Sequence, residues 1–151
     1  MNKRIVLLSA LLLCFAGLTA FPQDSPTQLE IKLAQTTVKN NEDFSLSATI
    51  HNTGNEEKVI RVWSCGHSQW TADNPSVLGS PEVCAKNILL KERIKPGESG
   101  HWEVPVRVVL LAGGGQPESV TFRLGFQSST YGTEPEIPRI WSNAVTVKVT
   151  R

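Results

Sequence analysis

Cys65, His67 and Cys84 carry the side chains of this sequence best suited to bond-making chemistry, and Ser64, Ser68 and Asp73 stand close by. A zinc or copper site needs three or four ligands of the cysteine and histidine type. Cys65-x-His67 with Cys84 supplies three, while His51 and His101 fall in strand-like stretches with no reason to converge on them. A disulfide between Cys65 and Cys84 uses both thiols and leaves His67 alone. Pairing is the expected state, metal binding its rival, and no cofactor is expected. Hydrolytic chemistry would need a serine held against a histidine, and that histidine against an acid. Ser, His and Asp do cluster here, but in a polar loop, where such residues commonly build solvated turns. No Gly-x-Ser-x-Gly, His-Glu-x-x-His or spaced carboxylate pair is present, so no enzyme is expected. Gly113-Gly114-Gly115 lacks the Lys-Ser/Thr and the helix of a phosphate loop.

Binding is a different matter. Trp70 stands between Gln69 and Thr71 in this loop. It is either tucked beneath the loop or presented to a partner, and large aromatics dominate many interfaces. The expected contact surface is Trp70 with His67 and Asp73, joined by Tyr131 from the loop before the last strand. Asp73-Asn74-Pro75 also suits an Asx-type turn. Trp63 is placed to pack on the disulfide, Trp102 in the core, and Trp141 at the start of a strand.

The compartment follows from the N-terminus. Lys3-Arg4 precedes an apolar run from Ile5 to Leu13, and Ala16-Gly17-Leu18-Thr19-Ala20 offers small residues before a cut. Residues 1–20 therefore read as an export signal, and residues 21–151 as one domain. Cys14 raises lipid attachment, but Leu11-Leu12-Leu13 precede it where a small residue is usual. A periplasmic or secreted protein is expected. The apolar run is too short for a comfortable membrane span, and no second run follows. Two of the fifteen basic residues lie in the signal, leaving thirteen Lys and Arg against fourteen Asp and Glu. That balance points away from nucleic acid and membrane surfaces as partners. Export makes the disulfide the default, and a bridge closing a loop of this length stabilises by roughly 3 kcal/mol.

The elements that must position these residues are strands. Leu29, Ile31 and Leu33 alternate with polar residues, as do Phe44, Leu46, Ala48 and Ile50. Lys58–Trp63 is apolar on both sides and reads as central. Ile88–Ile94 suggests a strand resuming after the cysteine loop, whose Pro75, Gly79 and Pro81 argue against regular structure. Trp102–Val108 alternates, with Pro105 marking an edge or a bulge. Val120–Phe126 and Ala144–Thr150 complete seven strands. Asn52-Thr53-Gly54-Asn55 and Lys95-Pro96-Gly97-Glu98 read as tight turns. Seven strands with one apolar face each need two facing layers, so the expected fold is an all-β, immunoglobulin-like antiparallel β-sandwich.

Asp43-Phe44-Ser45-Leu46-Ser47-Ala48-Thr49-Ile50-His51-Asn52-Thr53-Gly54 resembles the second strand and turn of bacterial immunoglobulin-like domains. Ile94-Lys95-Pro96-Gly97-Glu98 resembles their turn before the fifth strand, and Ser142-Asn143-Ala144-Val145-Thr146-Val147 their last strand. The segment from Trp63-Ser64-Cys65 to Cys84-Ala85-Lys86-Asn87 resembles that of exported immunoglobulin-like proteins of unassigned function. A looser similarity is to the intracellular proteinase inhibitor family, from which the export signal and cysteine pair depart. The expected function is that of a non-catalytic exported interaction domain whose partner is a protein or an envelope component. The alternative is an inhibitor of an exported protease or other hydrolase.

Overall fold

The computed structural model describes residues 26–65, 69–80, 86–110, 118–129 and 138–151. The export-signal expectation, and those for His67, Cys84 and Tyr131, lie outside the described residues. In chain order the strands begin with β1 (Thr27–Leu33), β2 (Thr37–Lys39), β3 (Asp43–Asn52), β4 (Lys58–Trp63), β5 (Trp70–Ala72) and β6 (Val77–Gly79). They continue with β7 (Leu89–Ile94), β8 (Ser99–Val108), β9 (Glu118–Phe122), β10 (Leu124–Phe126), β11 (Ile140–Trp141) and β12 (Val145–Thr150).

Alternation decides which side chains meet. On β3, Phe44, Leu46, Ala48 and Ile50 are buried, and β8 opposes them with Val104, Val106 and Val108. These strands belong to a first layer ordered β1-β3-β8-β6. The second layer is made of shorter pieces. β12 lies between β2 and β9, β10 between β11 and β5, and β4 pairs with β7. Only Arg123 separates β9 from β10. Val120, Phe122, Leu124, Phe126, Val147 and Val149 turn inward from this layer and close one core against the first. The protein is an all-β sandwich of immunoglobulin-like arrangement; among the described residues its strand pairs are antiparallel except β2 with β12, and a single parallel bridge joins Leu29 to Ser142.

Several expectations need correction. The fold class is as expected, but the strands are more finely divided: the described residues hold twelve segments, five of them only two or three residues long. The stretch after Cys65 is not irregular throughout. It holds β5, paired to β10 through Trp70↔Phe126, and β6, paired to β8 through Val77↔Val108. Three-residue strands carry too few positions to show periodicity. Pro105 does not mark an edge, since β8 lies between β3 and β6. The N–H that proline lacks would point to the same side as its carbonyl, which accepts from Ser80 beyond the end of β6, away from β3. Asn52 is more than a turn residue. It is 1% exposed, and its Nδ2 donates to Glu56 O and Ile94 O while its Oδ1 accepts from Gly54 N. The turn after β7 is as expected, with Gly97 at φ 78° and Glu98 N donating to Lys95 O at 3.0 Å.

Candidate interaction surface beside the Cys65 turn

β4 ends at Trp63 and β5 begins at Trp70, and Gln69 bonds to both sides of that break. Gln69 is 5% exposed, and its amide fills the gap. Its Oε1 accepts from Trp63 N at 2.8 Å, and its Nε2 donates to Arg61 O at 2.9 Å and to Gln127 O at 3.1 Å. The side chain thereby replaces the ladder bonds that the missing strand residues would have made, and a buried amide is retained because all three bonds are satisfied. Nothing in the sequence marks this glutamine out from any other in a polar loop.

Ser64 turns the chain. Its N–H donates to Ile88 O at 2.8 Å, and its hydroxyl accepts from Ile88 N at 3.0 Å. Cys65 N donates to Asn87 Oδ1 at 3.2 Å. Cys65 is therefore fixed against the run of residues 86–88.

Trp70 is half-buried on β5, not in a loop. Its ring lies 4.7 Å from that of Phe126 and 6.5 Å from that of Trp102. It shares the inward face with Phe126, whose exposure is 1%. Trp102 is likewise on the inward phase of β8 and packs against the core. Its indole lies over Gly100, where a Cβ would stand 2.3 Å from the Trp102 Cη2, so a side chain there would displace the ring. Beside Trp70 and Leu78 is a hollow of about 10 Å³, lined also by Val104 and Leu124, which is room for one water molecule and not for an organic ligand.

Asp73 follows β5 and joins it to the strand opposite. Its Oδ1 accepts from Arg123 N at 2.7 Å, and its Oδ2 accepts from Arg123 Nε at 2.8 Å. The Arg123 backbone N–H, and then the Arg123 side chain, hold the Asp73 carboxyl below the ordinary aspartate range. The Asx turn comes from the next residue, with Ser76 N donating to Asn74 Oδ1 at 2.9 Å. Both Asp73 oxygens thus have partners within the chain.

His51 contacts Ser99 and Glu30, and His101 contacts Thr49, all on the outward side of the first layer. Among the described residues no group of three or more His, Cys, Asp or Glu side chains could hold a metal ion. Nor is any helix there long and apolar enough to cross a membrane.

What this end of the sandwich does present is apolar. Ile88 and Leu90, 45% and 49% exposed, stand at the start of β7, beside the Ser64–Cys65 turn. β7 pairs with β4 along one edge and has no strand on the other among the described residues.

No known family's sequence profile matches the chain, and no curated protein matches it. Among solved structures it is similar to part of the native conformation of E. coli alpha-2-macroglobulin, at 13% identity and a TM-score of 0.47. That alignment takes in 83% of this chain and 7% of the other, so the chain spans a small fraction of the protein it matches.

Proposed function

We propose that this chain is a non-catalytic, exported interaction domain that takes a protein partner at the outer edge of β7, beside a turn tied by a Cys65–Cys84 disulfide. The observation that carries the reading is the exposure of Leu90 on β7 and of Ile88 just before it, where β7 has no second neighbouring strand among the described residues. Large apolar side chains are seldom left in water on such an edge, where unpaired backbone groups invite another chain. An extended segment of the partner would add to β7 by backbone hydrogen bonds and cover Ile88 and Leu90. Bonding of Cys65 to Asn87 supports the disulfide, because Cys84 is three residues from Asn87 in sequence. A tied turn loses less freedom on binding. The resemblance to exported immunoglobulin-like proteins supports the compartment.

The test is cross-linking of the purified protein, with a photoreactive residue at Lys91, in the envelope and medium fractions of its source. Wild type is compared with Ile88→Lys/Leu90→Lys. A single protein adduct present in wild type and lost in the variant supports the reading. Equal labelling of both overturns it. Thiol titration of the unfolded, unreduced mature protein checks the disulfide, and two free thiols would contradict it.

A further inference from the structure

Strand alternation segregates charge on this sandwich. The outward side of the first layer is mixed. It carries Glu30 beside Lys32, and Asp43 in a bidentate pair with Arg107 at 2.8 and 3.0 Å. The charged outward strand positions of the second layer are of one sign among the described residues. Ile60 and Val62 point in, so Arg61 points out; its cross-strand partner is Lys91, and Val59 is opposite Arg93. Val147 and Val149 point in, so Lys148 points out, and Lys39 does the same on β2. No outward strand position of this layer holds a carboxylate among the described residues.

The centre of the face is a built arrangement. Gly125 is the outward residue of β10, and Trp141 is its partner on β11. A Cβ on Gly125 would lie 2.5 Å from Arg139 Cδ and 3.0 Å from Trp141 Cε3, so the glycine lets both side chains lie flat on the sheet. The Arg139 and Arg123 guanidinium carbons stand 5.9 and 5.4 Å from the centre of the Trp141 ring, within cation–π range. Arg139 also donates to Gln127 Oε1 at 3.1 Å. Among the described residues, carboxylates reach this side from turns: Glu42 contacts Lys39, Glu57 contacts Arg93, and Asp73 contacts Arg123. Leaving Arg61 aside, Lys39, Lys91, Arg93, Arg123, Arg139 and Lys148 stand against these three carboxylates among the described residues. The whole chain has a formal charge of only +1, so the excess is local.

We infer that the outward face of the second layer binds a linear anionic polysaccharide. The same outward phase carries the hydroxyls of Thr71, Thr121 and Thr146, which suit a hydroxylated chain carrying carboxylate or sulfate groups. An acidic protein would need an apolar, fully desolvated centre, whereas the aromatic ring in this face, Trp141, is attended by the Arg123 and Arg139 guanidinium groups. A single-stranded nucleic acid would need open aromatic platforms, whereas two guanidinium groups attend Trp141. The inference does not depend on the β7 edge proposed above, and the variants that test the two are different.

The experiment measures binding of the mature protein to heparin, poly-glutamate and single-stranded oligo-dT at fixed low salt, then across a salt series. Wild type should bind heparin most tightly and weaken steadily as salt rises, as displaced counterions require. Lys91→Glu/Lys148→Glu changes two exposed outward side chains and should weaken heparin binding about tenfold or more. Lys32→Glu/Lys95→Glu makes the same change in net charge away from this face and should bind as wild type does. Unchanged melting curves show that both variants fold. The inference is overturned if heparin is not bound, if both double variants weaken alike, or if poly-glutamate or oligo-dT binds as tightly as heparin.

Discussion

Removing the Gln69 amide tests how the second layer is held together. In Gln69→Ala, Trp63 N loses its acceptor, while Arg61 O keeps the bond from Ser129 N at 3.0 Å. An unsatisfied backbone group with limited access to water costs about 1–3 kcal/mol, and loss of the buried methylenes adds about 1 kcal/mol. The expected loss is about 2–4 kcal/mol, or roughly 6–16 °C in melting temperature for a domain of this size. Gln69→Glu is more diagnostic. One carboxylate oxygen can still accept from Trp63 N, but the other would face Arg61 O and Gln127 O, which only a donor can satisfy. The folded-state pKa of that glutamate is raised by burial and by the two carbonyls. The variant should be close to wild type below the unfolded glutamate value of about 4.3, where the acid is protonated and can donate. Its deficit should grow as pH rises through and above that value. Urea denaturation between pH 3.5 and 7, with wild type subtracted at each pH, reads this directly. A Gln69→Ala melting temperature within a degree of wild type, or a Gln69→Glu deficit that does not vary with pH, would refute the reasoning.

Three further outcomes are expected. Trp70→Ala should cost about 2–3 kcal/mol by urea denaturation, since the ring packs on Phe126 and Trp102; a loss under about 0.5 kcal/mol would show that the ring is a surface group. Gly100→Ala should push the Trp102 indole from its seat, costing about 1–3 kcal/mol and red-shifting tryptophan emission, whereas unchanged emission would count against the packing described. Asp73 has a depressed folded-state pKa, so its contribution is present above the unfolded aspartate value of about 3.9 and is lost as pH falls through the lower folded value. Asp73→Asn should therefore be less stable than wild type near pH 7, with the gap closing on acidification; a gap that stays constant would contradict the Arg123 pairing.

Much of the first layer could be read directly. Phe44, Leu46, Ala48 and Ile50 show the period of two that a half-buried strand imposes, and Pro96-Gly97 shows the φ requirement of its turn. Val120 to Phe126 reads as one strand, and its apolar residues are all buried, although Arg123 interrupts it. The region around the candidate site was less legible for a physical reason. Its regularity comes from side chains that complete the ladder, and a Gln, Asp or Asn doing so has the same sequence appearance as one in solvent. Trp70 read as a loop residue because β5 is three residues long. The basic face escaped notice because its charges are scattered along the chain from Lys39 to Lys148 and meet only when the sheet forms.

The side-chain patches also give the fold a chemical lifetime. Besides Gln69, Asn143 exchanges two bonds with the backbone of Ile31, and Asn40 does the same with Leu110. In each the amide oxygen accepts and the amide nitrogen donates, so the pair works only while the group remains an amide. Hydrolysis to a carboxylate replaces the donor with a second acceptor, now charged and set against a carbonyl. One lost ammonia molecule would thus open a seam between strands without breaking the backbone. Amide side chains are among those that fail first at high temperature, and in this sandwich their ageing would begin where the sheets are sewn.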